Sequence, residues 1–223
     1  MNVSVIIPAY NAGKLLGEAL ESVINQTHKL YEIIIVDDGS TDNTAEVAKR
    51  FTNVKYIFQK NQGTASAVNA GVAMAKGDLL AFLDADDLWF HNKIETQLAV
   101  MRENSEVDMI FTLIENFISA EEHESLKSKI DLDTRPRVGI HKSTLMIRRN
   151  SFFKIGLLSV ANNIDLLDWY ARAQEIGIKE FIVREVLVKR RIHGNNQTLV
   201  KKEILQEFPG IIKAILERRR SNK

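Results

Sequence analysis

The sequence predicts an α/β protein in which a mostly parallel central sheet is flanked by helices. Short apolar segments typical of buried strands alternate with helix signals through the first half of the chain. Two of these segments, residues 33–36 and 79–83, lead directly into clusters of aspartates. Because ligands of open α/β sheets bind at the carboxyl ends of the parallel strands, both clusters should face one cleft.

The first half contains four predicted strands and three predicted helices. The strands are residues 3–7, 33–36, 54–58 and 79–83. The first helix has apolar residues at helical spacing, namely Leu16, Ala19, Leu20, Val23 and Ile24. Ser40 or Thr41 is expected to cap the second helix, with Asp42 near its positive end and Ala45, Ala48 and Phe51 facing inward. The third helix should begin near Thr64, bury Ala65, Val68, Val72 and Ala75, and end at Lys76 and Gly77.

The second half is less regular. It predicts a helix at 93–102, strands at 109–112, 139–147 and 181–188, and a helix at 166–176. The charged segment 119–137 is interpreted as a functional lid or as disordered chain. Residues 201–223 carry an apolar stripe flanked by basic residues, which indicates a helix packed on the domain or a contact with a partner or membrane surface.

Length and composition limit the possible classes of protein. The 223 residues are 45% hydrophobic and 26% charged, which fits a single domain with a substantial core. We divide it into halves at 1–112 and 113–200, followed by a tail at 201–223. The net charge of +1 argues against bulk attraction to nucleic acid. No apolar stretch approaches the roughly 20 residues of a membrane span, so we expect a cytoplasmic protein, with the tail as a possible peripheral contact with the inner face of the membrane.

The aspartates themselves predict a metal. Asp37 and Asp38 follow one strand, and Asp84, Asp86 and Asp87 follow another. Like charges about 4 Å apart cost roughly 1 kcal/mol even in water, so a compensating cation is expected. The chain has no cysteine, and Mg²⁺ or Mn²⁺ prefers oxygen ligands together with substrate phosphates. The alternatives are aspartates in a solvated turn and, at residues 37–40, a simple strand-to-helix turn.

Four motifs in sequence order resemble the signature of family 2 glycosyltransferases with the GT-A fold. They are VSVIIPAYN at 3–11, EIIIVDDGSTD at 32–42, NQG at 61–63 with NAG at 69–71 and GD at 77–78, and FLDADD at 82–87. The resemblance implies an inverting transferase that uses a nucleotide-diphosphate sugar and Mg²⁺ or Mn²⁺. UDP-sugar is the expected donor because it is frequent in the family.

The resemblance also implies roles for individual residues. Those expected to line the nucleotide-sugar site are Pro8, Ala9, Tyr10, Asn11, Asp38, Asn69, Gly71, Asp84 and Ala85. Asp84 would meet the ribose or diphosphate, and Asp86 would bind the metal. Tyr10 would pack on the base, although a core tyrosine is the alternative.

A general base must remove the proton of the acceptor hydroxyl. Family members usually place an acidic residue at the start of a helix that carries an arginine two turns later, but counting back from Arg172 places Leu166 at that position. We therefore favour Asp168, beside Trp169 as an acceptor platform, and keep Asp165 as second choice. The alternative is that Asp165 caps the helix and Asp168 pairs with Arg172.

A basic segment at 189–197 resembles the one near the end of many such domains. Arg190 or Arg191 would neutralise the leaving diphosphate, and His193 would meet a phosphate oxygen or the metal. A solvated basic turn is the alternative.

These observations predict sugar transfer to a hydroxyl of a glycan or lipid-linked glycan, in cell-surface polysaccharide or glycoconjugate synthesis. One alternative is a catalytically silent sugar-nucleotide-binding module or scaffold. A nucleotidyltransferase is less favoured, because residues 8–11 are not a glycine- and basic-rich phosphate loop. No dinucleotide-binding Gly-x-Gly-x-x-Gly follows the first strand.

Overall fold

The computed structural model describes residues 1–119, 133–161, 165–193 and 196. In this part of the chain, nine strands form one sheet and six α-helices flank it. The strands are β1 (Val3–Ala9), β2 (Glu32–Asp37), β3 (Val54–Phe58), β4 (Leu79–Phe82), β5 (Leu88–Trp89), β6 (Met109–Phe117), β7 (Arg137–Val138), β8 (Met146–Arg148) and β9 (Glu180–Arg191). The helices are α1 (Leu16–Ile24), α2 (Thr44–Lys49), α3 (Thr64–Met74), α4 (Lys93–Glu103), α5 (Arg149–Ile155) and α6 (Asp165–Glu175).

The strand order brings distant parts of the chain together at the carboxyl-terminal ends of the parallel strands. The order is β3-β2-β1-β4-β8-β6-β9-β5, with β7 beside β6. The first four strands are parallel, and β8 is antiparallel to both β4 and β6. Since β9 runs parallel to β6, its carboxyl end lies at the same edge as the carboxyl end of β4. The strand ends that carry the predicted site residues therefore meet.

The core lies on both faces of the sheet. Successive β1 side chains point to opposite faces, so Val5 and Ile7 pack in one cluster and Ile6 in the other. Helices α1 and α4 cover the first face, and α3 and α6 cover the second. The expected α/β class is confirmed, with a parallel first half and a mixed second half.

Several expected elements differ in detail. Residues 139–147 are not one strand, because a short 3-10 helix at Lys142–Thr144 precedes β8. The second helix begins at Thr44, and the Asp42 carboxylate accepts the Thr44 N–H, which corrects the expected cap at Ser40 or Thr41. Strand β6 crosses the expected division at 112/113. Most of the 119–137 segment and all of 201–223 lie outside the described residues. Among the helices that are described, none has the length and apolar character needed to cross a membrane.

Candidate active site

A tight turn at Asp84–Asp87 directly follows β4. The Asp87 N–H donates to the Asp84 carbonyl oxygen at 3.0 Å, which closes the turn. The charges of Asp84 and Asp86 both act on Asp87, so the three carboxylates form one cluster. The gathering thus covers the acidic residues of this turn, whereas Asp37 at the end of β2 is buried and accepts hydrogen bonds from the Ser40 N–H and the Tyr56 hydroxyl.

Asp87 is the buried anchor of this turn. Its side chain is 2% exposed, and it accepts hydrogen bonds from Ser143 Oγ at 2.7 Å and from the Arg191 backbone N–H at 3.1 Å. Burial, followed by the negative charges of Asp86 and Asp84, raises the pKa of Asp87 well above its usual value. Asp87 therefore joins the turn to two segments that are remote in sequence.

Asp84 and Asp86 are the more exposed members, with side chains 24% and 29% accessible. Asp86 Oδ2 lies 3.0 Å from His193 Nε2 and 3.4 Å from the amide nitrogen of Asn196. Burial opposes ionisation of Asp86, but the hydrogen bond and charge of His193 outweigh it, so the pKa of Asp86 lies below its usual value. The structure thus brings together Asp86 and His193, the two residues expected to bind a metal.

His141 is a member of the cluster that the sequence did not reveal. Its Nε2 lies 3.6 Å from Asp84 Oδ2, and its Nδ1 lies 3.7 Å from Asp87 Oδ2. One ligand atom from each of these three residues falls within 4.8 Å of the others, which makes them a second possible metal-binding group. Burial, followed by the positive charges of Arg190 and Lys142, lowers the pKa of His141 despite the opposing effect of Asp84.

Arg191 forms part of the wall behind the turn. Its guanidinium donates from Nη2 to Glu18 at 2.7 Å and from Nε to the Asp86 carbonyl oxygen at 3.0 Å, and it stacks over the Phe117 ring. The side chain is only 2% exposed. The expectation that Arg191 neutralises a diphosphate is therefore corrected, since the structure gives it a positioning role. Arg190 lies close enough to His141 to act on its charge and remains the candidate for that function.

The expected nucleoside pocket lies at the ends of β1 and β2. Asp38 accepts hydrogen bonds from Gln59 Nε2 and from the backbone N–H groups of Gln62 and Gly63, at 2.7–2.9 Å. A carboxylate offers about four acceptor positions, so about one remains on Asp38, which is only 3% exposed. Tyr10 is 53% exposed, which excludes the core alternative for this side chain.

The rest of the β1 motif shapes the backbone of this pocket. Pro8 and Ala9 are buried within β1, and the Ala9 carbonyl oxygen accepts the Asp38 N–H at 2.8 Å. The Asn11 N–H donates to Ser40 Oγ, and Asn11 Oδ1 accepts the Thr41 N–H, both at 2.8 Å. These bonds fix the loop after β1 against the loop after β2.

Asn69 and Gly71 are accounted for by packing. The Asn69 amide exchanges two hydrogen bonds with the backbone of Leu158. A Cβ at Gly71 would lie 2.5 Å from Ile6 Cγ2, so glycine allows α3 to approach β1 closely. Neither residue contributes to the case for a nucleotide pocket.

The first two turns of α6 carry the residues predicted to serve the acceptor. Asp168 Oδ2 accepts from Arg172 Nε at 3.1 Å, and Arg172 also donates to the carbonyl oxygens of Ile155 and Leu157. This is the pairing weighed as the alternative to catalysis. Trp169 is fully buried and donates to the Gly156 carbonyl oxygen, so it is not an acceptor platform. The side chain of Asp165 lies outside the described part of the structure.

Solved structures show that the chain has the GT-A fold. S. aureus TarS 1-349 in complex with UDP-GlcNAc matches with a TM-score of 0.76 and 15% identity, over 96% of this chain and 65% of that one. The mannosyltransferase PcManGT of Pyrobaculum calidifontis, in complex with GDP-Man and Mn²⁺, matches with a TM-score of 0.66 and 18% identity, over 87% and 58%. The chain thus spans less than two thirds of either solved chain. At these identities the likeness establishes the fold.

The chain belongs to Glycosyl transferase family 2, whose model matches residues 4–161. An uncharacterised glycosyltransferase of Rickettsia typhi is 32% identical over 97% of this chain and 72% of its own length. The putative teichuronic acid biosynthesis glycosyltransferase TuaG of Bacillus subtilis is 31% identical, over 90% and 84%. The family expected from the four sequence motifs is confirmed.

Proposed function

We propose that this protein is a metal-dependent inverting glycosyltransferase that uses a nucleotide-diphosphate sugar. The pairing of Asp86 with His193 is the observation that supports this most strongly. Two neighbouring ligands of an octahedral ion with bonds of about 2.1 Å lie about 3.0 Å apart. Asp86 Oδ2 and His193 Nε2 are hydrogen-bonded at that separation, so a divalent ion that displaced the shared hydrogen could bind both atoms with little movement of either side chain. Because imidazole suits transition metals and carboxylate suits Mg²⁺ and Mn²⁺, this pair of donors favours Mn²⁺.

The group formed by Asp84, Asp87 and His141 fits a metal less well. Asp87 is buried, and both of its oxygens already accept hydrogen bonds. His141 Nδ1 accepts the Ser143 N–H, which uses the lone pair that would otherwise face an ion. We therefore assign Asp86 and His193 to the metal and Asp84 to the ribose or diphosphate. A bound divalent ion would neutralise charge on the departing diphosphate.

The nucleoside is proposed to lie between Tyr10 and Asp38. The exposed Tyr10 ring offers a stacking surface, and the remaining acceptor position of Asp38 suits a base N–H. Arg190 supplies positive charge near the acidic turn. The complexes of S. aureus TarS with UDP and with UDP-GlcNAc support UDP-sugar as the proposed donor. The name of TuaG supports a cell-surface polysaccharide as the proposed product.

A carboxylate on the first turns of α6 is proposed as the general base. It would take the proton of the acceptor hydroxyl while that oxygen attacks the anomeric carbon and the bond to the diphosphate breaks. The ion pair with Arg172 favours an anchoring role for Asp168, so Asp165 and Asp168 both remain candidates. The engagement of Asp168 by Arg172 is also the observation that favours a silent sugar-nucleotide-binding module as the second candidate function.

The Asp86→Asn variant tests the proposal. In the wild type, UDP with Mn²⁺ should raise the thermal midpoint, because a ligand at about 100 times its Kd stabilises the native state by about 2.7 kcal/mol. Asp86→Asn should lose this Mn²⁺-dependent stabilisation and the release of UDP from UDP-sugars. The matched control is Asp78→Asn, since Asp78 lies at the opposite end of β4 and pairs with the Asn2 N–H.

The outcomes separate the two candidate functions. Unchanged Mn²⁺-dependent stabilisation and turnover in Asp86→Asn would remove Asp86 from the metal site. Metal-dependent nucleotide binding by the wild type without donor hydrolysis or transfer, across a panel of UDP- and GDP-sugars and acceptors, would favour the silent module.

A further inference from the structure

His141 occupies a defined position at the rim of the acidic turn. It immediately precedes the 3-10 helix at Lys142–Thr144, whose Ser143 holds both the Asp84 N–H and the Asp87 carboxylate through its hydroxyl. The His141 side chain is 28% exposed and lies beside the cleft-facing Asp84. One ring nitrogen therefore lies 3.7 Å from the buried Asp87, while part of the side chain is accessible to solvent.

The backbone of Ser143 assigns the tautomer of the His141 ring. The Ser143 N–H donates to His141 Nδ1 at 3.3 Å, so Nδ1 carries the lone pair. In a neutral imidazole the other nitrogen then carries the hydrogen. Nε2–H consequently points to the side where Asp84 lies.

The Nε2–H group has no hydrogen bond to Asp84. The separation of 3.6 Å from Asp84 Oδ2 exceeds the hydrogen-bond range. The charges around the ring are mixed, because Asp84 and Asp86 act on it as well as the positively charged Arg190 and Lys142. Because the His141 side chain is 28% exposed, its Nε2–H can donate to a phosphate oxygen that approaches from the solvent side, next to Arg190.

We propose that His141 is a hydrogen-bond donor to a phosphate oxygen of the nucleoside diphosphate, and that it does not bind the metal. The inference rests on the proposed function, since it assigns a residue to the diphosphate of the proposed donor. The donor role of His141 differs chemically from a metal-ligand role. A metal ligand needs a lone pair on Nε2, whereas a donor to phosphate needs a hydrogen on that atom.

Three substitutions at His141 distinguish the two roles. His141→Gln keeps an N–H donor of similar reach, His141→Glu keeps a possible metal ligand but no donor, and His141→Ala removes both. For each variant, calorimetry measures the affinity for Mn²⁺ alone, for uridine, and for UDP with Mn²⁺. His91→Gln is the control, since His91 is an exposed histidine whose carbonyl oxygen is bound to Thr27, away from the turn.

The donor role predicts a specific pattern. His141→Ala should weaken UDP binding about tenfold or more, as expected for a lost hydrogen bond to a charged group. Its affinities for uridine and for Mn²⁺ alone should stay within about twofold of wild type. His141→Gln should recover much of the UDP affinity, and His141→Glu should bind UDP most weakly because it adds negative charge.

Two results would overturn the inference alone. The first is unchanged UDP affinity in His141→Ala. The second is reduced affinity for Mn²⁺ alone in His141→Ala and His141→Gln with retention in His141→Glu, which is the pattern of a metal ligand. A wild type that binds neither UDP nor GDP would instead overturn the proposed function together with this inference, so the two failures are distinguishable.

Discussion

The exposed residue Glu18 should contribute more to stability than its position suggests. Its side chain on α1 is 58% exposed, yet it accepts a 2.7 Å hydrogen bond from Arg191, which is 2% exposed. Removing Glu18 would leave a buried guanidinium without its carboxylate. We predict that Glu18→Ala destabilises the fold clearly, although it replaces a surface residue with the best helix former.

The size of the effect follows from the unequal burial of the two partners. Exposed ion pairs contribute about 0.2–1 kcal/mol, whereas breaking a fully buried pair costs about 3–5 kcal/mol. Arg191 keeps its bond to the Asp86 carbonyl oxygen and its contact with Phe117, and Glu18 is itself exposed, so the cost should lie between these two ranges. We expect Glu18→Ala to lower the free energy of unfolding by about 1.5–3 kcal/mol, the usual value of a hydrogen bond to a charged group.

Urea denaturation near neutral pH measures this difference. Glu21→Ala is the matched control, because Glu21 is an exposed glutamate on the same helix and should change stability by about 0.5 kcal/mol or less. The effect of Glu18→Ala should also persist at high salt, since partly buried pairs are screened weakly. Equal stabilities of the two variants would refute the reasoning and show that Arg191 does not depend on Glu18.

Two further predictions concern α6 and the buried lysine of α4. If Asp165 is the base, Asp165→Asn should abolish sugar transfer and leave the UDP affinity unchanged. Asp168→Asn should then mainly lower the thermal midpoint, because it releases Arg172. The reverse pattern in transfer assays would identify Asp168 as the base. Lys93 is fully buried over the Trp89 ring, and burial lowers its pKa well below the usual value. The unfolded chain therefore binds more protons than the native one near neutral pH. The free energy of unfolding should consequently rise with pH up to about 10.4, the usual pKa of lysine. Lys93→Met should be more stable at pH 7 and should flatten this dependence in urea titrations, and an unchanged slope between pH 7 and pH 10 would contradict it.

The parallel half of the fold could be predicted because its local and long-range signals agree. Strands such as β3 are short apolar segments bounded by turn residues, and α3 buries Ala65, Val68 and Val72 at the expected spacing. The prediction of a single strand at 139–147 was wrong. The apolar residues there suggest one strand, but the Thr144 hydroxyl donates to the carbonyl oxygens of Gly139 and His141. Such side-chain bonds to the backbone favour a turn over a strand ladder, and they leave little trace in hydrophobic periodicity.

The sequence predicts the site residues that directly follow a strand, but not those that reach the site only through tertiary contacts. Asp84 and Asp86 could be placed because a parallel strand directly precedes them. His193 could be placed by resemblance, and the structure brings it to Asp86. His141 could not be, because a single histidine in an apolar segment carries no local signal. Trp169 was misplaced because an aromatic residue beside an aspartate does not reveal which face of the helix is buried.

The Asp84–Asp87 turn divides two tasks among its carboxylates. Asp87 is held by Ser143 from one side and by the Arg191 backbone from the other, so it ties the end of β4 to two segments that follow it by more than 50 and 100 residues. Asp87 fixes the turn and leaves Asp84 and Asp86 partly exposed. The contacts of Asp87 hold these two carboxylates close together despite their mutual repulsion. Electrostatic stabilisation of a reaction requires charges that need no rearrangement when the substrate arrives. The turn fixed through Asp87 meets that requirement. This explains why the fourth residue of the Asp84–Asp87 turn is a buried acid.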